Sequence, residues 1–310
     1  MTIDPEFLHS QNDDAVNGQL MKRATYAAVG IALILIAIKS FAYFATNSVA
    51  MLSTLVDSML DLAASAINLF AVRQSLVPAD RDHRFGHGKA EALAGLFQSA
   101  IITGSAVFLL FQAGERLLNP KPVYASDVGI IVMVVSIVLT IGLVLYQRYV
   151  ISRTRSVAIS ADSLHYVGDV LINGGVILAL ILDTVFHWRF ADGMFGILIA
   201  LVLIFSAWKI IRTSFADLMD EELGDEEREN IKTIVLQQPG VLGIHDLRTR
   251  RSGQQVFIQM HIDMDGSISL RDAHTISDAV EARLMAEYPE AEAIVHQDPL
   301  HIDNSRNDED

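Results

Sequence analysis

An all-α membrane domain of six helices, followed by a small α/β domain, is the fold class the sequence predicts. Three observations predict it. The chain is 51% hydrophobic with a mean hydropathy of +0.36, too apolar for an ordinary soluble domain. Six long apolar runs carry that excess, at about 24–46, 49–72, 90–118, 123–147, 157–182 and 190–213. Charge then divides the chain, since residues 1–220 hold 17 acids and 15 bases whereas 221–310 hold 20 acids and 8 bases. The expected organisation is a disordered N-terminal tail over 1–20, a six-helix domain over 21–215, an α/β domain over 216–300 and a disordered acidic tail over 301–310.

Each apolar run is long enough as a helix to cross a hydrocarbon core of roughly 30 Å. The fourth is the cleanest, with no charge from Val128 to Tyr146. The third is the most mixed, holding Glu91, Gln98, Gln112 and Glu115, so one side of it is expected to face protein or water. Lys and Arg near the helix ends set the orientation. One set of loops carries Lys22, Arg23, Arg73, Arg81, Arg84, Lys89, Arg148, Arg153, Arg155, Lys209 and Arg212; the other carries Arg116, Lys121 and Arg189. The first set belongs inside, which places both termini and the tail domain in the cytoplasm. Residues 1–20 are polar, without a signal peptide's apolar core, and T-I-D-P-E-F at 2–7 has the look of a vector-derived segment.

The tail domain reads helix, strand, strand, helix, strand. D-E-E-R-E-N-I-K-T-I-V-L-Q-Q (225–238) places acids in its first turn and stops at Pro239-Gly240, a helix signature. Q-V-F-I-Q-M-H-I-D-M (255–264) alternates apolar and polar residues and reads as a strand, paired to 242–250 across a turn at Ser252-Gly253. Residues 271–288 form an amphipathic helix and 291–298 a final strand. That order fits a ferredoxin-like or metallochaperone-like α/β sandwich.

The composition excludes several classes. There are no cysteines, so disulfides and the thiolate sites that select copper(I) or iron–sulfur clusters are ruled out. The acidic tail is the wrong sign for nucleic acid, whose phosphates need clustered Lys and Arg. No H-E-x-x-H string occurs, so a zinc metalloprotease is not expected, and the chain is not read as an enzyme.

Charged residues inside the spans carry the functional signal. Asp57 and Asp61 on the second span and His165 and Asp169 on the fifth are each four apart, so each pair shares a helix face. Ionised aspartates at that depth require something positive: protons, a metal or a basic residue. Lys39 is the basic residue at nearest depth, and is expected to snorkel toward the outer end. The plain reading is interhelical hydrogen bonding or a water-lined cavity. The sharper one is a metal site of three carboxylates and one imidazole, suited to tetrahedral zinc or to Fe(II), Mn(II) or Cd(II), and poorly to magnesium. Asp162, at i−3 from His165, is expected to be an entrance or capping residue.

Two further clusters stand outside the spans. In P-A-D-R-D-H-R-F-G-H-G-K, residues 78–89, Asp80, His83 and His87 have the close spacing of a small metal site, although a solvated loop of mixed charge would look similar. The tail holds five of the ten histidines. Of these His245, His261, His274 and His296, with Asp298, suggest a shared site, mononuclear or binuclear, although each alone reads as a surface histidine. His9, His187 and His301 are unassigned.

Six spans, D-S-M-L-D on the second, H-Y-V-G-D on the fifth, D-R-D-H-R-F-G-H-G-K between the second and third, and a histidine-bearing tail together resemble the cation diffusion facilitator family over about residues 20–300. The combination is specific where each motif alone is not. The resemblance implies a homodimer in the bacterial inner membrane that exports zinc, and also iron(II) or cadmium, from the cytoplasm in exchange for protons. It implies a transport site at Asp57, Asp61, His165 and Asp169, and a loop site at Asp80, His83 and His87. It implies a binuclear site in a dimerising tail at His245, His261, His296 and Asp298, with His274 also matching. It further implies an interlock between Lys89 and Asp220, or less strongly Asp217. The alternative is a membrane-bound metal sensor that uses the tail sites without transport.

Overall fold

A computed structural model of the chain describes residues 5–47, 49–119 and 127–300. Six long helices come first: α1 (Pro5–Thr46), α2 (Val49–Ser75), α3 (Lys89–Leu118), α4 (Asp127–Thr154), α5 (Val157–Phe186) and α6 (Ala191–Leu218). All six are long and apolar enough to cross a membrane. They overrun the apolar sequence at their ends, because a helix once nucleated extends through any residue that does not break it. The N-terminal tail shows this most strongly. Disorder was expected over 1–20, yet α1 starts at Pro5, where proline's missing N–H costs nothing, and no Pro or Gly interrupts the chain again before Gly18. The acidic tail expected at 301–310, with His301, lies outside the described residues.

Local chemistry fixes the helix ends. Ser156 caps α5 by accepting from the Ile159 N–H at 3.3 Å. His187, unassigned by sequence, ends the same helix in a left-handed conformation at φ 53°. Within the bundle, small residues let helices approach closely. A Cβ on Gly193 would meet Leu117 and the Ala113 carbonyl at 2.8–2.9 Å, and one on Gly196 would meet the Ala113 Cβ at 2.7 Å, so α6 lies directly on α3. The mixed third span behaves as expected only in part. Glu91 and Gln98 are buried, Glu91 being held by Ser156 and by Ser75, while Gln112 is exposed.

The tail, from Asp217, falls in a compact unit separate from that of Val16–Ala216. It follows the predicted order as α7 (Asp225–Leu236), β1 (Gly243–Ser252), β2 (Gln255–Met264), α8 (Leu270–Glu287) and β3 (Ala291–Pro299). The sheet order is β1-β2-β3, antiparallel in its first pair and parallel in its second, as a strand–helix–strand crossover requires. Alternation along β2 decides the faces. Val256, Ile258, Met260, Ile262 and Met264 point into a core with Ile231 and Val235 of α7 and Val280 and Leu284 of α8. The opposite face, including His261 and Asp263, carries no helix of that core.

Candidate metal centres

The membrane cluster is built across α2 and α5. His165 Nε2 and Asp61 Oδ1 are 2.8 Å apart, and ligand atoms of Asp61, His165 and Asp169 all lie within 4.8 Å of one another. These side chains are neither sealed nor solvated, with His165 and Asp61 only 13% and 14% exposed. Asp57, the fourth expected ligand, is not brought into this group. It is exposed one turn toward the start of α2, though within electrostatic reach of Asp61 and Asp169.

Asp162 corrects the sequence reading. It is fully buried, not at an entrance, and its two oxygens accept from Ser65 Oγ at 3.2 Å and Gln147 Nε2 at 2.7 Å. Ser65 also shares a hydrogen bond of 2.8 Å with the Tyr166 hydroxyl, which reaches the Ala28 carbonyl at 3.3 Å. This network ties α1, α2, α4 and α5 together one turn from the cluster. Ser65 is four residues beyond Asp61 on the same face, a spacing visible in sequence, whereas its partners from α1 and α4 were not. Lys39 is a second correction. Its Nζ donates to Ser58 Oγ at 2.7 Å and does not run outward.

In the loop, Asp80, His83 and His87 bring their ligand atoms within 4.8 Å of one another. Asp80 Oδ1 accepts from the backbone N–H groups of Asp82 at 2.9 Å and His83 at 2.7 Å. Gly86, at φ 74°, folds the chain back so that His83 Nδ1 and His87 Nε2 lie 3.3 and 3.4 Å from the two Asp80 oxygens. The His87 Nδ1 faces the Val77 carbonyl at 3.2 Å. A carbonyl only accepts, so Nδ1 donates there, and Nε2 is the nitrogen turned toward Asp80, the orientation in which a ligating imidazole keeps its other nitrogen bonded. Those backbone bonds, the His83 N–H foremost, hold the Asp80 carboxyl below its ordinary range.

The tail cluster occupies one row of the sheet. His245 pairs with His261, and His261 with His296, so the three rings stand side by side with centroids 5.1 and 4.5 Å apart. Asp298 lies one row over, opposite Asp263. Its Oδ2 lies 2.7 Å from His261 Nδ1 and 3.3 Å from His245 Nε2, and its Oδ1 3.4 Å from His296 Nε2. A single carboxylate thus touches all three imidazoles, and the His261 bond above all holds its pKa below the ordinary range. His274 stands apart on α8, paired with Asp278 at 3.5 Å, because a helix packed on the other face of the sheet carries it.

Two carboxylates here went unread in sequence. Asp263 reaches His245 at 3.5 Å, and Gly243 leaves it room, since a Cβ there would meet Asp263 Oδ2 at 2.5 Å. Asp246 reaches His261 at 3.7 Å. It sits at a register shift between His245 and Arg248 with φ 47°; such a bulge re-aims a side chain that strict alternation would send to the other face. The donor set of imidazoles and carboxylates on this row fits zinc-like divalent ions. Asp220 also accepts from Arg250 within the tail at 3.1 Å.

The model for the cation efflux transmembrane domain matches residues 25–219, and that for the cation efflux protein cytoplasmic domain matches residues 223–300. The cation-efflux pump FieF of Shewanella oneidensis is 48% identical over 283 residues, 91% of this chain and 95% of its own. The pumps of the same name from Klebsiella pneumoniae and Escherichia fergusonii are 45% and 46% identical over 285 residues, 92% of this chain and 95% of theirs.

Proposed function

The chain belongs to the cation efflux family, the cation diffusion facilitators, and from that premise we propose that it is a proton-coupled antiporter exporting zinc, with iron(II) or cadmium as further cargo. As a family member it is a multi-pass membrane protein of divalent-cation efflux. The choice of zinc, the exchange for protons and the residues in contact with the ion are the proposal. One observation carries it: two aspartates and a histidine converge across two helices that are long enough to span a bilayer.

Zinc takes imidazole and carboxylate donors in a four-ligand set. Asp61, His165 and Asp169 supply three of these, and Asp57, one turn away on the same stripe, supplies the fourth when the ion arrives. Such ligands must be deprotonated to bind, so metal entry releases protons. If the site opens alternately to the two sides, protons entering from outside displace the ion there, by the rocking motion general to transporters. The Lys and Arg excess of one loop set directs both termini and the tail into the cytoplasm of a bacterial inner membrane. The open histidine row holds metal in a homodimer joined through the domain at 216–300. A membrane-bound metal sensor would use that row alone and has no need of the membrane cluster.

The test is transport by proteoliposomes loaded with a pH-sensitive dye. An imposed zinc gradient should move zinc and drive protons the opposite way. Zinc flux with no accompanying pH change would remove the antiport, and no flux of any divalent ion would remove transport.

A further inference from the structure

Between Arg23 and Arg73 the sequence holds one basic side chain, Lys39, and two acidic ones, Asp57 and Asp61. Lys39 lies seven residues before the end of α1, about 10 Å along the axis. A lysine stem so placed ordinarily runs along the helix and leads its charge to water. Here the ammonium turns inward to Ser58 Oγ at 2.7 Å. Ser58 is fully buried, adjacent to Asp57 and three residues before Asp61. The charge is therefore fixed against the stretch of α2 that carries both candidate ligands, and it is felt by Asp57 and by Asp169 of α5.

We propose that Lys39 is a built-in counter-cation of the membrane site, weakening its hold on metal so that the ion can leave. The inference rests on the transport reading above and adds a residue that never touches the ion. Four ligands with three negative charges and an imidazole would grip a divalent ion tightly, and a transporter must also let go. A fixed ammonium beside the carboxylates offsets part of their charge in the empty site, and repels a bound dication through a medium that screens poorly. It also accounts for Asp57 standing apart from the other three. In the empty site its charge is offset by Lys39, and it joins the cluster when a dication attracts it more strongly.

The experiment is zinc titration of the full-length, detergent-solubilised protein. The membrane site is identified as the binding component lost in Asp61→Ala. In Lys39→Met that component should tighten about tenfold or more, and turnover at saturating zinc should fall because release slows. Lys39→Arg keeps the charge and should stay within about threefold of wild type. Ser58→Ala removes the hydrogen bond but not the charge, and should do the same. Unchanged or weaker binding in Lys39→Met overturns the proposal, as does a Ser58→Ala shift equal to that of Lys39→Met, which would make the lysine a brace only. If Lys39→Met does not fold, Lys39→Gln carries the same expectation. Absence of any component dependent on Asp61 overturns the transport site itself, and this inference with it.

Discussion

The membrane cluster and the tail cluster are made from the same two side chains, histidine and aspartate, on very different supports. In the membrane cluster His165 and Asp61 meet from α5 and α2, and among the described residues no backbone hydrogen bond joins one helix to the other. Their separation rests on side-chain contacts such as Ser65 to Asp162. In the tail, His245, His261 and His296 sit on three strands paired by backbone hydrogen bonds, which hold neighbouring strands about 4.8 Å apart. A site on two helices changes shape when one helix shifts. A site on a sheet keeps its shape unless the sheet unfolds. The difference teaches that one donor chemistry can be mounted on a support that deforms or on one that does not, which under the proposed function would suit release and retention respectively.

The largest effect that could break this contrast is loss of transport. Asp61→Ala or His165→Ala should lower zinc flux in proteoliposomes by at least about 100-fold, because each removes one of very few bonds to the ion. Flux within a few-fold of wild type in both variants would reject the helix-borne site. Next comes the brace beside it. Ser65→Ala leaves Asp162 with one donor fewer and strips Tyr166 of a partner, at a cost of about 1–3 kcal/mol for a buried polar network. Thermal melting in detergent should fall by several degrees, and an unchanged melting temperature would mean that the helices are spaced by packing alone.

A smaller change sharpens the contrast by testing selectivity. His165→Asp replaces a borderline nitrogen with a hard oxygen and adds negative charge. Competition assays should show zinc losing roughly tenfold to manganese or cadmium, and an unaltered ratio would mean that the imidazole does not select the ion. On the sheet, Asp298→Ala should erase the difference in hydrogen exchange over β1–β3 between zinc-loaded and chelated protein, a difference expected to be several-fold in wild type. The smallest effect is one of acidity. The Asp298 carboxyl is held low by His261, so in chelator its stabilisation is present above the ordinary carboxylate range and is lost as pH falls through the lowered value. Proteolysis of the chelated tail should therefore rise less steeply toward acid pH in Asp298→Asn than in wild type.

Periodicity made the element order legible, because a six-fold repeat of long apolar runs and a period-two strand each have few structural solutions. Partners were harder. The spacing of Asp57 and Asp61 places both on one stripe, yet only the neighbouring helix decides which of them meets His165. Asp162 lies on the stripe of His165, and its burial follows from the close approach of α2 and α4, to which Ser65 and Gln147 belong. Asp246 was hidden by its bulge, since alternation from His245 assigns it to the wrong face. Asp263, two residues after His261 on a predicted strand, was readable by that same alternation. His274 matched by position in sequence, but a helix on the far side of the sheet carries it away from the row.

The strand that completes the tail row is also the last among the described residues. A nascent polypeptide emerges from its N-terminus, so Asp169, the final membrane ligand, is made well over a hundred residues before His296 and Asp298. For that interval the helices can be inserted and their ligands gathered while the row on the sheet has two histidines and no carboxylate from β3. Chains that stall or are cut before residue 296 keep the membrane ligands and lose the closing strand. The membrane cluster is thus older, within each molecule's own lifetime, than the row on the sheet.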